Sequence, residues 1–267
     1  MTLLRRQFLH LAAGAAALPF LQIPAITAQS NGISEIAPSG RLRVAMLAYN
    51  PALVTRKSDG GIGGVSMALG TFIAQRFGIP LEPVIYPSPE AAVQSYDKSE
   101  WDVMIGPRGP AVEQKANFGP DVLLVDNIYV AAPGRDFADA SQVDKPGVKI
   151  GVVQNAVPDQ FLSRTLKFAE LVRVPAPIDA AIETLRNGKT DVFAGSGQYV
   201  RTVAANLPNA KIIPGAFLSV HMAVALPKGK SPTVQRKLAE IIDEAKRAEV
   251  IQKSIDEAHL TDIRIAP

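Results

Sequence analysis

Two long apolar runs, residues 122–132 and 217–226, most constrain the fold of this chain. Both are rich in β-forming residues and lack the 3.6-residue period of a helix, so each predicts an extended strand. A unit of alternating short strands and helices precedes each run, and that order predicts a parallel, doubly wound sheet. The sequence therefore predicts an α/β protein, with two doubly wound lobes joined by a two-stranded hinge.

The first unit precedes the first run. Short apolar stretches at residues 41–48, 81–86 and 101–105 predict strands, and apolar residues recur at helical spacing between residues 65 and 77. The glycine-rich residues 58–64 predict a hairpin-like loop, because they lack the Lys-Ser/Thr pair of a phosphate-binding loop.

The same order returns in the second unit. Strands are predicted at residues 148–153, 171–174 and 191–194, and helices at residues 158–169, 178–185 and 198–206. We expect residues 36–127 and 219–267 to form lobe I and residues 128–218 to form lobe II. A final helix is predicted after Ser231-Pro232, since serine and proline suit the start of a helix.

Composition excludes several classes of function. The chain has no cysteine, which removes disulfides, thiol catalysis and a cysteine-bound zinc site. His221 and His259 are far apart in the sequence, so we expect no metal site and no cofactor, and we interpret His221 as a buried or hinge residue. The formal charge of +3 falls to +1 without Arg5 and Arg6. The sequence also lacks a basic run of the kind that binds nucleic acid, so it does not predict nucleic-acid binding.

Residues 1–28 predict export. Paired arginines, Arg5-Arg6, precede an Ala-rich apolar run, and small residues follow at 25–28, as in a secretory signal peptide. The paired arginines resemble a twin-arginine signal. A membrane anchor is the alternative, but glycine and proline interrupt the run short of the roughly 20 apolar residues that a spanning helix needs. We expect a periplasmic mature chain, not inserted in the membrane, that begins with a flexible leader at residues 29–40.

Five stretches carry a resemblance to a known family. They are LRVAMLAYNPALV (42–54), GGVSMALGTFIAQRFGIPLEPV (63–84), WDVMIGPRGPAVEQKANFGP (101–120), VKIGVVQNAVPDQFLSRTL (148–166) and AAIETLRNGKTDVFAGSGQ (180–198). In order and spacing the chain resembles the family 3 extracellular solute-binding proteins, the periplasmic components of polar-amino-acid-type ABC importers. The resemblance implies a type II periplasmic binding protein fold, with a ligand enclosed between two lobes by hinge closure.

The chain departs from this family at three pocket positions. The arginine that pairs the α-carboxylate of an amino acid is replaced by Val112, counted back from Phe118. The Ser or Thr at the mouth of the second-lobe helix is replaced by Ala156, and the aspartate that takes the α-amino group by Ser196. Losing both charged partners costs about 3–6 kcal/mol, or two to four decades in Kd. The resemblance therefore implies a small polar or anionic solute other than a standard α-amino acid.

Candidate ligand contacts in lobe I follow the predicted strands. Arg108 lies in a Gly/Pro-rich loop, where its guanidinium could replace the missing arginine. A solvent-facing or inter-lobe role is its alternative. The Gly106 carbonyl offers a polar contact from the backbone. Tyr49 and Asn50 follow the first strand, where the family often presents an aromatic ring, although a core or rim role for Tyr49 is equally consistent.

Candidate contacts in lobe II lie at two helix starts. Asn155 and Ala156 open a helix whose N-terminal amides attract anionic or acceptor groups. Ser196 and Gln198 offer neutral hydrogen bonds at the next helix.

The resemblance implies a monomeric binding protein that delivers its solute to an ABC transporter permease. A periplasmic dehydratase on the same scaffold is one alternative. Asp159 is the only acid near the predicted cleft mouth, and we interpret it as a first-turn residue that interacts with its helix end. A non-transport accessory or sensor protein is the other alternative.

Overall fold

The computed structural model of the protein describes residues 30–57 and 59–267, so the predicted signal peptide lies outside the described residues. The strands are β1 Leu42–Leu47, β2 Thr55–Arg56, β3 Ile62–Gly63, β4 Leu81–Tyr86, β5 Val103–Pro107, β6 Ala116–Ala131, β7 Lys149–Val153, β8 Glu170–Val174, β9 Val192–Ser196, β10 Lys211–Pro227 and β11 Ile263–Ile265. The helices are α1 Ser30–Ile36, α2 Val65–Phe77, α3 Pro89–Ser95, α4 Pro110–Glu113, α5 Val157–Thr165, α6 Ile178–Arg186, α7 Gly197–Ala205, α8 Pro232–Arg247 and α9 Val250–Glu257. Within this part of the chain, no helix has the length and apolarity needed to cross a bilayer.

The predicted α/β architecture is confirmed. One nine-stranded sheet has the order β4-β1-β5-β10-β6-β9-β7-β8, and β11 pairs with β6 beside this path. Strands β1, β4 and β5 are parallel, and so are β7, β8 and β9. The antiparallel pair β6 and β10, here called the hinge ladder, runs through the middle of the sheet and joins the two parallel sets.

Separate hydrophobic cores define the two lobes. The core of lobe I combines residues from β1, β5, α2 and α8 with the lobe I half of the hinge ladder. Lobe II has one core on each face of its sheet: α6 and α7 pack over Ile128 and Val130, whereas α5 packs over Tyr129 and Ala131. The predicted boundary residues stay a prediction, because β6 and β10 pass from one lobe to the other without a break.

Several elements differ from the prediction. The expected leader contains α1, and the buried Ile36 and Ala37 join the lobe I core. Glu35 anchors this segment to α8 by accepting hydrogen bonds from the backbone amide and hydroxyl of Ser231, which lower the pKa of the Glu35 carboxyl. The predicted last helix is followed by α9 and β11. Strand β10 begins at Lys211, before the predicted run of residues 217–226, and its pairing with β6 is irregular between Ile213 and Leu218.

The core of lobe I contains the one tryptophan of the chain, Trp101. Its indole Nε1 donates a hydrogen bond to Ser95 Oγ at 2.9 Å, and its ring meets Tyr96 edge-on at 5.3 Å between centroids. The polar atom of the indole is therefore satisfied inside an apolar environment. Next to it, the buried Asp102 accepts hydrogen bonds from Arg43 Nε and Nη2 at 3.1 and 2.7 Å.

A close approach in lobe II requires glycine at position 151. A Cβ atom added to Gly151 would lie 2.6 Å from Phe193 Cδ2, on the neighbouring strand β9. Phe193 is fully buried, so it has little room to move away.

We expect Gly151→Ala to destabilise the protein by about 1–3 kcal/mol, because the added methyl overpacks the lobe II core. Urea unfolding followed by circular dichroism measures the change. Gly109→Ala is the matched control, since Gly109 has an extended backbone and no atom within 4 Å of the added Cβ. The control should stay within about 0.5 kcal/mol of wild type. Equal stability of Gly151→Ala and wild type would contradict the packing described here.

Candidate functional site

The carboxyl edges of the two parallel strand sets point toward each other. Strand β5 is antiparallel to β10, and β10 is antiparallel to β6, so β5 runs in the direction of β6, toward lobe II. Strand β9 is antiparallel to β6 and therefore runs toward lobe I. The loops that follow β1, β5, β7 and β9 thus converge on the middle of the hinge ladder. Open α/β sheets bind ligands at such carboxyl ends.

In lobe I, the candidates Tyr49, Asn50 and Gly106 are held closely by the fold. Tyr49 packs against the lobe I core, and this burial raises the pKa of its phenol. Asn50 Oδ1 accepts a hydrogen bond from the Ala52 amide at 3.1 Å, which shapes the turn after β1. Gly106 lies within β5 opposite Ala223 of β10, and not in a loop after the strand as its motif had suggested. Tyr49 therefore borders the edge, and Gly106 lies inside the sheet.

Arg108 already has an anionic partner. Its Nε lies 3.0 Å from Asp121 Oδ1 in an ion pair that is not a well-aligned hydrogen bond, and its Nη2 donates to the Gly119 carbonyl at 2.5 Å. His221 Nδ1 lies 2.7 Å from the other carboxylate oxygen of Asp121. His221 is therefore an exposed residue of strand β10 in the hinge ladder, which agrees with the hinge alternative of the prediction and not with the buried one. A solute anion would have to compete with Asp121 for the Arg108 guanidinium.

In lobe II, Asn155 and Ala156 form the entrance to α5. Asn155 has a left-handed backbone with φ 62°, and its side chain is exposed. Ala156 is the N-cap residue and cannot cap the helix with its side chain, so helix amides remain available to an acceptor group. This arrangement can bind an anion or a carbonyl oxygen.

Ser196 and Gln198 lie at the entrance to α7, the helix that follows β9. Ser196 ends β9 opposite Asn127 of β6 and is the N-cap residue of α7, and its hydroxyl accepts no capping hydrogen bond from a helix amide. Both Ser196 and Gln198 are partly buried. Asn127 is 3% exposed, and its Nδ2 donates to the Val125 carbonyl at 3.2 Å. Sequence reasoning missed Asn127, which follows Asp126 inside a run that is mostly apolar.

The candidates fall on different faces of the hinge ladder. Asn127 and Ser196 are directly opposed and share one face, which α5 covers farther along at Tyr129. Asp126 points to the other face, here called the polar face, where it contacts Ser219 Oγ and Arg264 Nη2. The exposed His221 and its partner Asp121 continue this polar face.

The fold therefore groups the candidates unevenly. Asn155, Ala156 and Ser196 lie together on adjacent strand ends of lobe II. Arg108 lies three strands away from Ser196 in the sheet order, about 14 Å at the usual strand spacing. Its guanidinium turns toward Asp121, and it borders a cavity of about 280 Å³ on lobe I that also contains Glu113, Asn117 and Lys228.

A second cavity, of about 240 Å³, lies on the polar face at the junction of the lobes. Among its residues are Asp126, Ile128, Arg201 and Asp262. Arg201 of α7 donates two hydrogen bonds to Asp262, from Nε at 2.5 Å and from Nη2 at 2.9 Å, and this interaction lowers the pKa of the Asp262 carboxyl. Sequence reasoning missed this pair, because its members are 61 positions apart and belong to different lobes.

Asp159 is the acid that an enzymatic mechanism would need, and it is fully engaged. It is 4% exposed and accepts hydrogen bonds from the Asn155 amide, Ser163 Oγ and Arg173 Nε, at 2.8, 3.1 and 3.0 Å. The interpretation of Asp159 as a first-turn residue bound to its helix end is confirmed. Between residues 30 and 267, position 58 excepted, no group of three His, Cys, Asp or Glu side chains could hold a metal.

We expect Asp159→Ala to lower the free energy of unfolding by about 1–3 kcal/mol, since it leaves the Asn155 amide and Arg173 without their acceptor. Chemical denaturation is the measurement. Asp179→Ala is the control, because Asp179 is an exposed first-turn acid of α6 and its removal should cost under about 0.5 kcal/mol. An unchanged stability for Asp159→Ala would show that these hydrogen bonds contribute nothing.

Comparison with protein-family models and with curated protein sequences gives no match. Solved structures do match. A mutant of ArgBP from T. maritima is 20% identical with a TM-score of 0.72, covering 85% of this chain and 99% of its own. The solute receptor for L-cysteine of Neisseria gonorrhoeae is 15% identical with a TM-score of 0.74, covering 88% and 99%. A putative ABC transporter binding component from Wolinella succinogenes, complexed with lysine, is 16% identical with a TM-score of 0.72, covering 82% and 95%.

These structures are two-lobed type II periplasmic binding proteins, and the chain has their fold. The resemblance to family 3 solute-binding proteins is thereby confirmed at the level of the fold. The coverage of at least 95% of each neighbour shows that both lobes and the hinge are shared.

Proposed function

We propose that the protein is a periplasmic solute-binding protein of an ABC-type importer, which binds a small polar or anionic solute between its lobes. The observation that carries the proposal is the convergence of strand ends from both lobes on the middle of the hinge ladder. Bending of two strands there would bring the edges together around a solute. Export by the predicted signal peptide, action as a monomer and delivery to a permease complete the proposal.

The proposed binding surface lies mainly on lobe II. It consists of the α5 entrance at Asn155 and Ala156 and the α7 entrance at Ser196 and Gln198. The exposed amide side chain of Asn155 and the uncapped helix amides offer donors to an anionic or carbonyl group. From lobe I, Tyr49, Asn50 and the backbone near Gly106 would border the solute.

A solute other than a standard α-amino acid agrees best with the charges at this surface. Val112 and Ser196 replace the charged pair of the family, and Arg108 is neutralised by Asp121. Direct pairing of Arg108 with a solute carboxylate stays a prediction, because it requires release of the guanidinium by Asp121. The matched L-cysteine receptor and the matched lysine complex therefore support the mode of binding more than the identity of the solute.

A dehydratase function has one point in its favour. One matched structure is an ancestral amino acid-binding protein described as a precursor of cyclohexadienyl dehydratase, 16% identical with a TM-score of 0.71. The engagement of Asp159 by three donors weighs against it as a proton donor. Turnover of a cyclohexadienyl acid, lost on Asp159→Asn, would overturn the binding proposal.

The binding proposal is tested by thermal unfolding with a panel of small carboxylates, alcohols, amines and amino acids. A solute present at one hundred times its Kd stabilises the folded state by about 2.7 kcal/mol. For a chain of this size we expect a rise in Tm of about 5–10 °C. Absence of a shift with every compound in the panel would count against solute binding.

Asn155→Gly tests the position of the site once a compound from the panel has been found. Glycine keeps the left-handed backbone and removes only the side chain, so we expect Kd to rise about 2–10-fold from the loss of one hydrogen bond. Asn209→Gly is the matched control, because Asn209 has φ 66° in an exposed turn before β10. Isothermal titration calorimetry measures both variants. Equal affinity of wild type and Asn155→Gly would move the site away from the α5 entrance.

A further inference from the structure

The segment after α9 connects the two lobes across the hinge ladder. Strand β11 pairs with β6 between Leu123 and Val125, and the Asp262 carbonyl accepts a hydrogen bond from the Asp126 amide at 2.9 Å. These backbone bonds fix the segment to lobe I. The Asp262 carboxylate then reaches Arg201 of α7, which belongs to lobe II.

The contact with lobe II is shaped by a glycine. A Cβ atom at position 197 would lie 2.5 Å from Asp262 Oδ2 and 2.6 Å from Cγ. Gly197 is the first residue of α7, directly after Ser196. Only glycine therefore lets the carboxylate rest against the start of α7 and accept both hydrogen bonds from Arg201.

This ion pair lies on the polar face of the hinge ladder. Arg201 and Asp262 border the same cavity as Asp126 and Ile128, and α7 packs over Ile128 on that face. The part of the proposed binding surface formed by Ser196 and the α5 entrance lies on the opposite face, with Asn127. Helix α2 connects β1 to β4, and α5 connects β7 to β8. Both connections are right-handed and lead away from the ladder, and their strands run in opposite directions. Helices α2 and α5 therefore lie on the same face of the sheet, opposite the polar face.

We infer that Asp262 and Arg201 form an inter-lobe latch that opposes closure of the binding cleft. Bending the ladder so that α2 approaches α5 stretches its polar face and draws Arg201 away from Asp262. The pair thus stabilises the open arrangement, and Asp262 is a positioning residue that sets the open-to-closed ratio. The inference rests on the proposed function, because it assumes that the lobes close on a solute.

The distance between the lobes of the solute-free protein tests the latch. Thr71→Cys of α2 and Arg164→Cys of α5 introduce one labelling site in each lobe, and both positions are exposed. Because the chain has no cysteine of its own, nitroxide labels attach only at these two sites. Pulsed electron spin resonance then measures the label separation. We expect Asp262→Asn and Arg201→Gln each to shift the distribution toward shorter distances. The open-to-closed ratio should fall by up to about fivefold, the upper value for a partly exposed ion pair.

Arg76→Gln is the matched control. Arg76 forms a similar forked pair with Glu244, with Nε at 2.9 Å and Nη2 at 2.6 Å, entirely within lobe I. It should leave the label distance unchanged. Arg201→Lys keeps the charge and loses the fork, so it should give an intermediate distance, which a purely structural role would not predict.

Distances that stay the same or lengthen in Asp262→Asn would overturn the latch, provided that circular dichroism shows a folded protein. If this variant fails to fold, Arg201→Gln decides by the same measurement. A shorter distance together with no response to the solute panel would leave the latch standing and count against solute binding. A response to the panel with unchanged distances would overturn the latch alone.

Discussion

The pairing of β6 with β10 is the interaction on which the rest of the structure depends. These two strands belong to both lobes, so two continuous backbones, hydrogen-bonded to each other, link the separate hydrophobic cores. Each lobe can therefore keep its own packing while the ladder bends between them. The irregular pairing between Ile213 and Leu218 lies where β10 leaves lobe II, and such irregularities interrupt the regular ladder and increase local twist.

The ladder also separates two kinds of chemistry. One face bears Asn127 and meets Ser196 and the α5 entrance, where the side chains are neutral. The other bears Asp126 and Asp121, whose carboxylates pair with Arg264 and Arg108, and it also bears His221 beside Asp121. Because side chains alternate along a strand, neighbouring residues such as Asp126 and Asn127 serve opposite faces. A shift of one residue in register would exchange these roles.

Much of the fold could be predicted from the sequence, because local periodicity determines it. The strands and helices of both units follow apolar patterns of period 2 or 3.6, and the two long apolar runs predicted the two strands of the hinge. The short β11 carries no such pattern. Helix α1 lies in a polar stretch, and the residue that anchors it, Ser231, is nearly 200 positions away in the sequence. The candidate site was predicted less well for the same reason. Arg108 could be located in the correct loop, but its capture by Asp121 depends on three-dimensional proximity.

The burial of Trp101 in only one lobe makes the chain a naturally asymmetric optical probe. Indole emission reports the environment of the lobe I core next to Ser95 and Tyr96, while lobe II contributes only weaker tyrosine signals. Far-ultraviolet ellipticity, by contrast, averages over the helices of both lobes. Noncoincident transitions by these two spectroscopies would resolve the lobes as separate cooperative units, without any engineered chromophore.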